Sequence, residues 1–157
     1  MAGHGLLKGV IDMAKQYRVG VGTRAINGVF RQITNLGFGA SYRRVLTVRG
    51  RATGREHSTP VNVMDYGGSL WLVGPYGVTN WVRNVRAAGV VRLSRGHHAE
   101  RFTACEVTSA EAVPVLRKYM TEVPVTRPYF DAAPNAPDAA IAEELARHPV
   151  FRLSQAA

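Results

Sequence analysis

Residues 45–73 read VLTVRGRATGREHSTPVNVMDYGGSLWLV, and this stretch decides the fold. Its parts 45–49, 58–66 and 70–73 have the β-branched, alternating character of strands with one buried face. A glycine-bracketed turn, residues 50–55, joins the first two parts, and Gly67-Gly68 is a hairpin signal between the second and third. The stretch therefore predicts three strands in an antiparallel meander.

The rest of the chain predicts further strands at 90–94, 99–107 and 149–153. Helices are predicted at 81–88, with Asn80 as N-cap and Gly89 as the closing residue, at about 109–122 and near 138–147. The proline-rich stretch 123–137 is predicted to be a loop. About six strands that can all pair antiparallel, with helices between them, predict a mainly β, α+β protein: a small closed or split β-barrel.

The N-terminal segment, residues 1–36, has a different pattern from the barrel region, residues 37–157. Apolar positions at helical spacing predict two short amphipathic helices within 5–36. Both parts are expected to form one compact domain. The first helix, Leu6–Ala14, is amphipathic with Lys8 and Lys15 at its polar margin, so it could lie on an anionic membrane surface or pack on the barrel.

Positive charge is concentrated at the start of the chain. Ten of the twenty Lys and Arg residues lie in the first 55 positions and face a single acid, Asp12. The remaining ten bases are balanced by ten acids, so the formal charge of +9 belongs to the N-terminal third. Such a field attracts a nucleic acid, an anionic membrane or a polyanionic small molecule.

The turn between the first two strands has the composition of an anion-binding loop. Gly50 and Gly54 let the backbone bend tightly, Thr53 offers a hydroxyl, and Arg51 and Arg55 offer charge-assisted contacts to phosphate or carboxylate. A solvated hairpin with incidental arginines would have the same sequence.

Aromatic residues mark two further candidate sites. Trp81 and Asn84 share one face of a predicted helix whose N-terminal N–H groups favour an anion, and together they suit a flat heterocycle. Taken alone, this motif is better explained by a Trp81 in the core and an Asn80 that only caps the helix. Tyr119, Tyr129 and Phe130 flank the proline-rich loop and could cover a pocket, although ordinary core packing explains them as well.

Other residues point away from several classes of protein. The histidines lack partners at metal-ligand spacing, so no metal site is predicted. Cys105 is the only cysteine; it lies mid-strand and is expected to be buried. A single cysteine suits a reducing compartment, and we expect the protein to be cytoplasmic, with peripheral contact to the membrane as an option. Without a nucleophile or paired-carboxylate motif, any chemistry is expected to come from a bound cofactor.

Two linked motifs carry a resemblance to a known family. The first is Leu46–Gly54 with Pro60 (LTVRGRATG and P), and the second is Trp81–Ala87 (WVRNVRA). Together they resemble the deazaflavin (F420)-dependent nitroreductases and F420H2-dependent quinone reductases of actinobacteria, which are split β-barrel proteins. The resemblance extends over roughly residues 25–155.

The resemblance implies coenzyme F420 as the cofactor, with its deazaflavin ring, phosphate and oligoglutamate tail. It places Arg51, Thr53, Gly54 and Arg55 on the phosphate and the start of the tail. It places Thr59–Val61 beside the ring, and Trp81 with Asn84 at the closure of the site. The complete set of implied coenzyme contacts is Arg49, Gly50, Arg51, Thr53, Gly54, Arg55, Thr59, Pro60, Val61, Pro75, Tyr76, Gly77, Asn80, Trp81 and Asn84. Tyr129, and second Tyr119, are implied as catalytic residues on the acceptor side.

The sequence departs from the family pattern at two places. Ala52 replaces a lysine that nitroreductase members often carry, and Pro75-Tyr76-Gly77 replaces a Ser or Ala-Lys segment. These departures indicate a subgroup related to proteins suggested to act on lipids or quinones, or only to bind the coenzyme.

The sequence thus predicts an F420-dependent oxidoreductase that transfers a hydride to an apolar acceptor: a quinone, enone, nitro compound or lipid. One alternative is a non-enzymatic F420- or lipid-binding protein at the membrane surface. A nucleic-acid binder is disfavoured because the aromatics of the basic third form no stacking strip. An FMN-binding relative is less favoured because FMN lacks the tail that would explain the charge.

Overall fold

The structure is a computed structural model that describes residues 43–156. The predicted N-terminal helices, the boundary at residue 36 and the predicted lipid contact lie outside these residues. The strands are β1 (Arg43–Arg49), β2 (Glu56–Tyr66), β3 (Ser69–Val73), β4 (Val90–Arg95), β5 (His98–Glu106) and β6 (Val150–Gln155). The α-helices are α1 (Asn80–Ala88), α2 (Val113–Glu122) and α3 (Asp138–Glu144), and short 3₁₀ helices cover Ala110–Ala112 and Pro124–Tyr129.

The six strands form a closed antiparallel barrel in the order β1-β2-β3-β6-β5-β4, with β4 pairing back onto β1. The predicted meander and the predicted barrel are both confirmed. Gly67 and Gly68 turn the β2–β3 hairpin with φ values of 60° and 79°, a conformation that glycine adopts without strain. Helix α1 follows β3, so the barrel wall leads directly into the helix that carries the second sequence motif.

The barrel interior is filled by one alternating set of residues from every strand, as a closed barrel requires. Val82 and Val85 of α1 join this cluster and cover it from one side. The strand residues of the cluster are Leu46, Val48, Val61, Val63, Leu72, Val91, Leu93, Phe102, Phe151 and Leu153.

A second apolar cluster covers the outside of β2, β3 and β6. Met64, Trp71 and Val73 point away from the interior and are covered by α2 and α3. Tyr119 of α2 belongs to this cluster and is 2% exposed. The helices therefore bury one outer face of the barrel and leave the β1–β2 turn beside α1.

Three local expectations are corrected. Thr79, in extended conformation, is the N-cap of α1, and Asn80 is the first helical residue; Thr and Asn are both good caps, so the local sequence does not separate them. Cys105 is exposed because it points outward from β5. The proline-rich stretch 123–137 contains the 3₁₀ helix Pro124–Tyr129 rather than only loop. Within residues 43–156, no helix is long and apolar enough to cross a bilayer.

Candidate functional site

A groove of about 300 Å³ lies between the β1–β2 turn and the first turns of α1. Its walls come from the two motifs that the sequence singled out, which are brought together because α1 packs beside β1. The residues that line it are Gly50, Arg51, Ala52, Thr53, His57, Ser58, Thr59, Asn80, Trp81 and Asn84.

Asn84 fastens the turn to the helix. Its side chain is 5% exposed, and its Oδ1 accepts a hydrogen bond from the Arg51 main-chain N–H at 3.2 Å and another from Arg51 Nη1 at 2.7 Å. One amide oxygen thus holds both the backbone and the guanidinium of Arg51. Because the partner is charged, this is one of the stronger hydrogen bonds available to an uncharged side chain.

The turn itself is closed by main-chain hydrogen bonds. Gly50 N–H donates to the Arg55 carbonyl at 2.7 Å, and Gly54 N–H donates to the Gly50 carbonyl at 2.9 Å. Gly54 has a φ of 75°, a conformation that glycine adopts with little strain and that other residues rarely adopt. Gly50 is constrained by space: a Cβ there would lie 2.7 Å from the His57 ring, which would have to turn away, and 3.1 Å from the Arg55 carbonyl oxygen, which is a tight contact.

The arginines around the groove have no carboxylate partner among residues 43–156. Elsewhere on the barrel, arginines pair with carboxylates, for example Arg86 with Glu106 and Arg152 with Glu111. In the described part of the chain, no ion pair joins a carboxylate to Arg51, which lines the groove, or to Arg49 and Arg55, which flank it in the same turn. The positive field therefore persists at the groove, where an anion would enter.

The start of α1 adds to this field. Asn80 and Trp81 line the groove, and the first turn of the helix contains no acidic residue. The positive end of the helix dipole therefore faces the groove without internal compensation. Trp81 is half-buried, with its ring centroid 6.3 Å from that of Phe151 in the barrel interior, so its indole is held by the core.

Seven of the predicted coenzyme contacts line the groove, and the others lie outside its walls. Arg49, Gly54 and Arg55 belong to the same turn, where Arg49 Nε donates to the Gly54 carbonyl at 3.3 Å. Pro60 continues β2, and Val61 points into the barrel interior. Whether these residues contact a coenzyme stays a prediction.

The predicted residues 75–77 form the turn that leads from β3 to α1. Gly77 has φ of 89°, and Gly74 N–H donates to the Pro149 carbonyl at 2.8 Å, which docks the turn on the chain before β6. Tyr76 meets Tyr129 edge-on, with ring centroids 4.8 Å apart. Although Tyr76 is 39% exposed, partial burial of its phenol raises its pKa above 10.0.

The two predicted catalytic tyrosines have different surroundings. Tyr129 is half-buried beside Tyr76, whereas Tyr119 lies in the outer core cluster and does not line the groove. The structure therefore brings Tyr129 to the surface and leaves Tyr119 among apolar side chains. Their catalytic roles stay predictions.

Sequence reasoning missed His57 and Ser58 as groove residues. Both lie at the start of β2, directly after the arginine turn, and Ser58 Oγ lies 2.8 Å from Thr47 Oγ1 of β1. The β1–β2 register, in which Thr47 pairs with Ser58, places them at the groove edge, and that register is not visible in the sequence. No group of three or more His, Cys, Asp or Glu side chains among residues 43–156 is arranged to hold a metal ion.

The chain is thus a closed antiparallel barrel whose first hairpin borders a groove lined by Arg51 and Trp81. Residues 23–133 match the model of the F420H(2)-dependent quinone reductase family, so the chain belongs to that family and is a reductase of it. The family resemblance that the two sequence motifs indicated is thereby confirmed.

Solved structures show the same fold at low sequence identity. An F420-H2 dependent reductase, FDR-A, is 18% identical with a TM-score of 0.52, over 73% of this chain and 95% of that one. HutZ, a heme storage protein of Vibrio cholerae, is 12% identical with a TM-score of 0.53, over 83% and 87%. The conserved hypothetical protein Rv2991 of Mycobacterium tuberculosis is 14% identical with a TM-score of 0.51, over 83% and 80%. No protein with a curated description matches the sequence.

Proposed function

We propose that the groove binds reduced coenzyme F420 and that the protein passes a hydride from it to an apolar acceptor, of which a quinone is the first choice. The observation that carries the proposal is the position of Arg51, whose main-chain N–H and guanidinium both donate to Asn84 Oδ1 of α1. Among residues 43–156, Arg51 makes no ion pair with a carboxylate. The family membership supports the coenzyme, and the acceptor is inferred from the chemistry of the neighbouring side chains.

The residues of the groove fit the anionic part of such a coenzyme. Arg51 and Arg55 would bind phosphate or carboxylate oxygens, and the first turn of α1 would add its dipole. The polyglutamate tail would follow the uncompensated arginines of the turn. FMN, which has a phosphate but no such tail, would use only part of this field.

The ring would lie where a flat surface and few competing charges are available. Trp81 offers an aromatic face held by the barrel core, and Thr59 offers a hydroxyl in the lining of the same groove. When bound, the reduced coenzyme supplies the hydride, so no protein nucleophile is needed. The protein has to orient the ring and exclude water around it.

The acceptor side requires a proton donor, because a quinone that takes up one hydride must also take up one proton to become the hydroquinone. Tyr129 is proposed to donate a hydrogen bond or proton to the acceptor oxygen, with Tyr76 packed against it. The raised pKa of Tyr76 keeps that phenol protonated at neutral pH. The exposed edges of both rings give an apolar acceptor a contact surface.

The test is a stopped-flow measurement of reduced F420 oxidation by the protein with a soluble quinone, an enone, and a nitro compound. Saturable oxidation with at least one acceptor, absent when the protein is omitted, is expected. Tight coenzyme binding without turnover of any acceptor would instead support the non-enzymatic F420-binding alternative.

A further inference from the structure

Glu144, the last residue of α3, is a buried carboxylate far along the chain from both groove motifs. Its side chain is 1% exposed. Oε1 accepts hydrogen bonds from the main-chain N–H groups of Asp131 at 2.6 Å and Ala132 at 2.7 Å, and Oε2 accepts one from Arg147 Nη2 at 3.1 Å. Because an unpaired buried charge is very costly, these contacts explain how the carboxylate is tolerated.

The segment that Glu144 holds is the one that carries Tyr129. Asp131 and Ala132 directly follow Tyr129 and Phe130 in the chain. Glu144 therefore fixes two consecutive main-chain N–H groups immediately after Phe130. The Phe130 ring also lies on the His148 ring, with centroids 4.1 Å apart. His148 lies four residues after Glu144. The Glu144 hydrogen bonds and the Phe130–His148 ring contact therefore both hold residues 130–132 against residues 144–148.

The turn that carries Tyr76 is docked on this same stretch. Gly74 N–H donates to the Pro149 carbonyl, and a Cβ on Gly77 would lie 3.4 Å from the Arg147 carbonyl oxygen. The two tyrosines therefore meet because each is carried by a segment fixed to residues 144–149.

We propose that Glu144 is a positioning residue for the acceptor side of the site. The reach of its Oε1 to two main-chain N–H groups sets Tyr129 against Tyr76, and so fixes the phenol that faces the acceptor. This inference rests on the proposed function for its consequence in catalysis, whereas the positioning itself is a property of the coenzyme-free protein. A displacement of about 1 Å at such a group is enough to slow a reaction strongly.

Two substitutions separate reach from charge. Glu144→Gln keeps an acceptor oxygen at the same distance from the backbone but removes the charge beside Arg147 and His148. Glu144→Asp keeps the charge but withdraws the oxygens by one methylene. The matched controls are Glu143→Gln and Glu143→Asp, because Glu143 is the adjacent carboxylate of α3 and is exposed.

The first readout needs no coenzyme. We expect Glu144→Gln to keep the amide protection of Asp131 and Ala132 and the nuclear Overhauser contact between the Tyr76 and Tyr129 rings. In Glu144→Asp, we expect exchange of both amides to accelerate by about tenfold or more and the ring contact to weaken. Loss of the protection and the ring contact in Glu144→Gln, or their full retention in a folded Glu144→Asp, would overturn the proposal.

The second readout uses reduced F420 and a soluble quinone. Glu144→Asp should bind F420 as the parent does but show a higher quinone KM and slower oxidation of the coenzyme. Glu144→Gln should stay close to the parent in quinone KM and in the rate of coenzyme oxidation. A fall in F420 affinity that matches the fall in rate would indicate a general structural defect and contradict the inference. If the parent oxidises no acceptor, the proposed function fails, while the amide and ring measurements still decide the positioning.

Discussion

At the scale of single residues, the Arg51–Asn84 contact is the centre of the proposed site. The side-chain oxygen of Asn84 accepts two hydrogen bonds from Arg51, one from its main chain and one from its guanidinium, so Asn84 holds the turn against α1. Arg51 is exposed and is aimed by this contact, whereas Arg55 is exposed one residue past Gly54. The two arginines therefore have the same charge but different degrees of restraint.

We expect Arg51→Ala and Arg55→Ala each to weaken F420 binding by about 1.5–3 kcal/mol, which is the range for a hydrogen bond to a charged group. The loss should shrink as salt is raised, because part of it is long-range attraction. Fluorescence or calorimetric titration of the coenzyme measures it. The control is Arg101→Ala, because Arg101 is an exposed arginine on β5 outside the groove. If all three variants bind F420 as tightly as the parent does, the turn is an ordinary hairpin turn with no role in coenzyme binding.

Tyr129→Phe is expected to leave F420 affinity unchanged and to lower the rate of quinone or enone reduction, because it removes only the phenol oxygen. Tyr119→Phe is the comparison, since Tyr119 lies in the outer core cluster and its substitution should change stability more than rate. Stopped-flow oxidation of the reduced coenzyme on both folded variants provides the measurement. An unchanged rate in Tyr129→Phe would remove this residue from the mechanism.

The sequence alone could single out Arg51 and Asn84 as candidate site residues but not the hydrogen bonds between them. They are 33 positions apart, and only the packing of α1 beside β1 brings them into contact. The spacing of Asn84 from Trp81 predicted a shared helix face, which is a local property. The sequence did not predict His57 as a groove residue, because its position depends on the pairing of β2 with β1. A histidine next to an arginine-containing turn is not a recognisable motif.

At the scale of elements, the turn between β3 and α1 depends on the short segment before β6. His148 lies there, 4% exposed, and neither of its ring nitrogens makes a well-aligned hydrogen bond within residues 43–156. Its Nε2 is 3.2 Å from Glu144 Oε2. Burial nevertheless lowers the pKa of His148, and this outweighs the opposing effects of Glu144 and the main-chain groups of Gly74 and Pro75.

This lowered pKa predicts acid sensitivity. Above the ordinary histidine value of 6.5, both the folded and the unfolded chain hold His148 neutral, and its contribution to stability is complete. As the pH falls below that value, the unfolded chain takes up the proton first, so the folded state loses stability. Urea unfolding at pH 7.5 and pH 5.5 should show this loss in the parent.

His148→Gln, which cannot titrate, should flatten this dependence even if it is less stable throughout. The matched control is His97→Gln, an exposed histidine of the β4–β5 turn. If the parent and His148→Gln lose the same unfolding free energy between the two pH values, His148 is not the group responsible.

Strand positions were predictable because alternation and glycine turns are local signals, and α1 was predictable from its apolar spacing and closing Gly89. The start of α2 was harder to predict from the sequence. Residues 110–112 form a 3₁₀ turn and the α-helix begins at Val113, which places Pro114 in its first turn, where a missing N–H costs little. Local sequence gave no sign of this short 3₁₀ entry.

At the scale of the whole molecule, the barrel closes through pairings between distant strands. β3 pairs with β6, about 80 residues later in the chain, and β4 returns to β1. Long-range pairings of this kind depend on how the complete interior packs, so the strand order could not be derived from the strand patterns. The barrel was expected because six strands that can pair antiparallel must bury a shared face and cover their edges.

The charge distribution also acts at this scale. Ion pairs such as Arg117 with Asp138 and Arg147 with Asp131 neutralise the helical side of the barrel. Among the described residues, the arginines of the β1–β2 turn make no such pair. The N-terminal segment, which the structure does not describe, adds five more bases against one acid. An anionic ligand with several charges gains from this field more than a ligand with one phosphate does.

The central claim is that the groove is built for a polyanionic deazaflavin, and parallel titration of the full-length protein with F420 and FMN tests it most directly. We predict that F420 binds more tightly than FMN at moderate ionic strength and that its affinity falls more steeply as salt is added. FMN binding that equals or exceeds F420 binding under the same conditions would contradict the account.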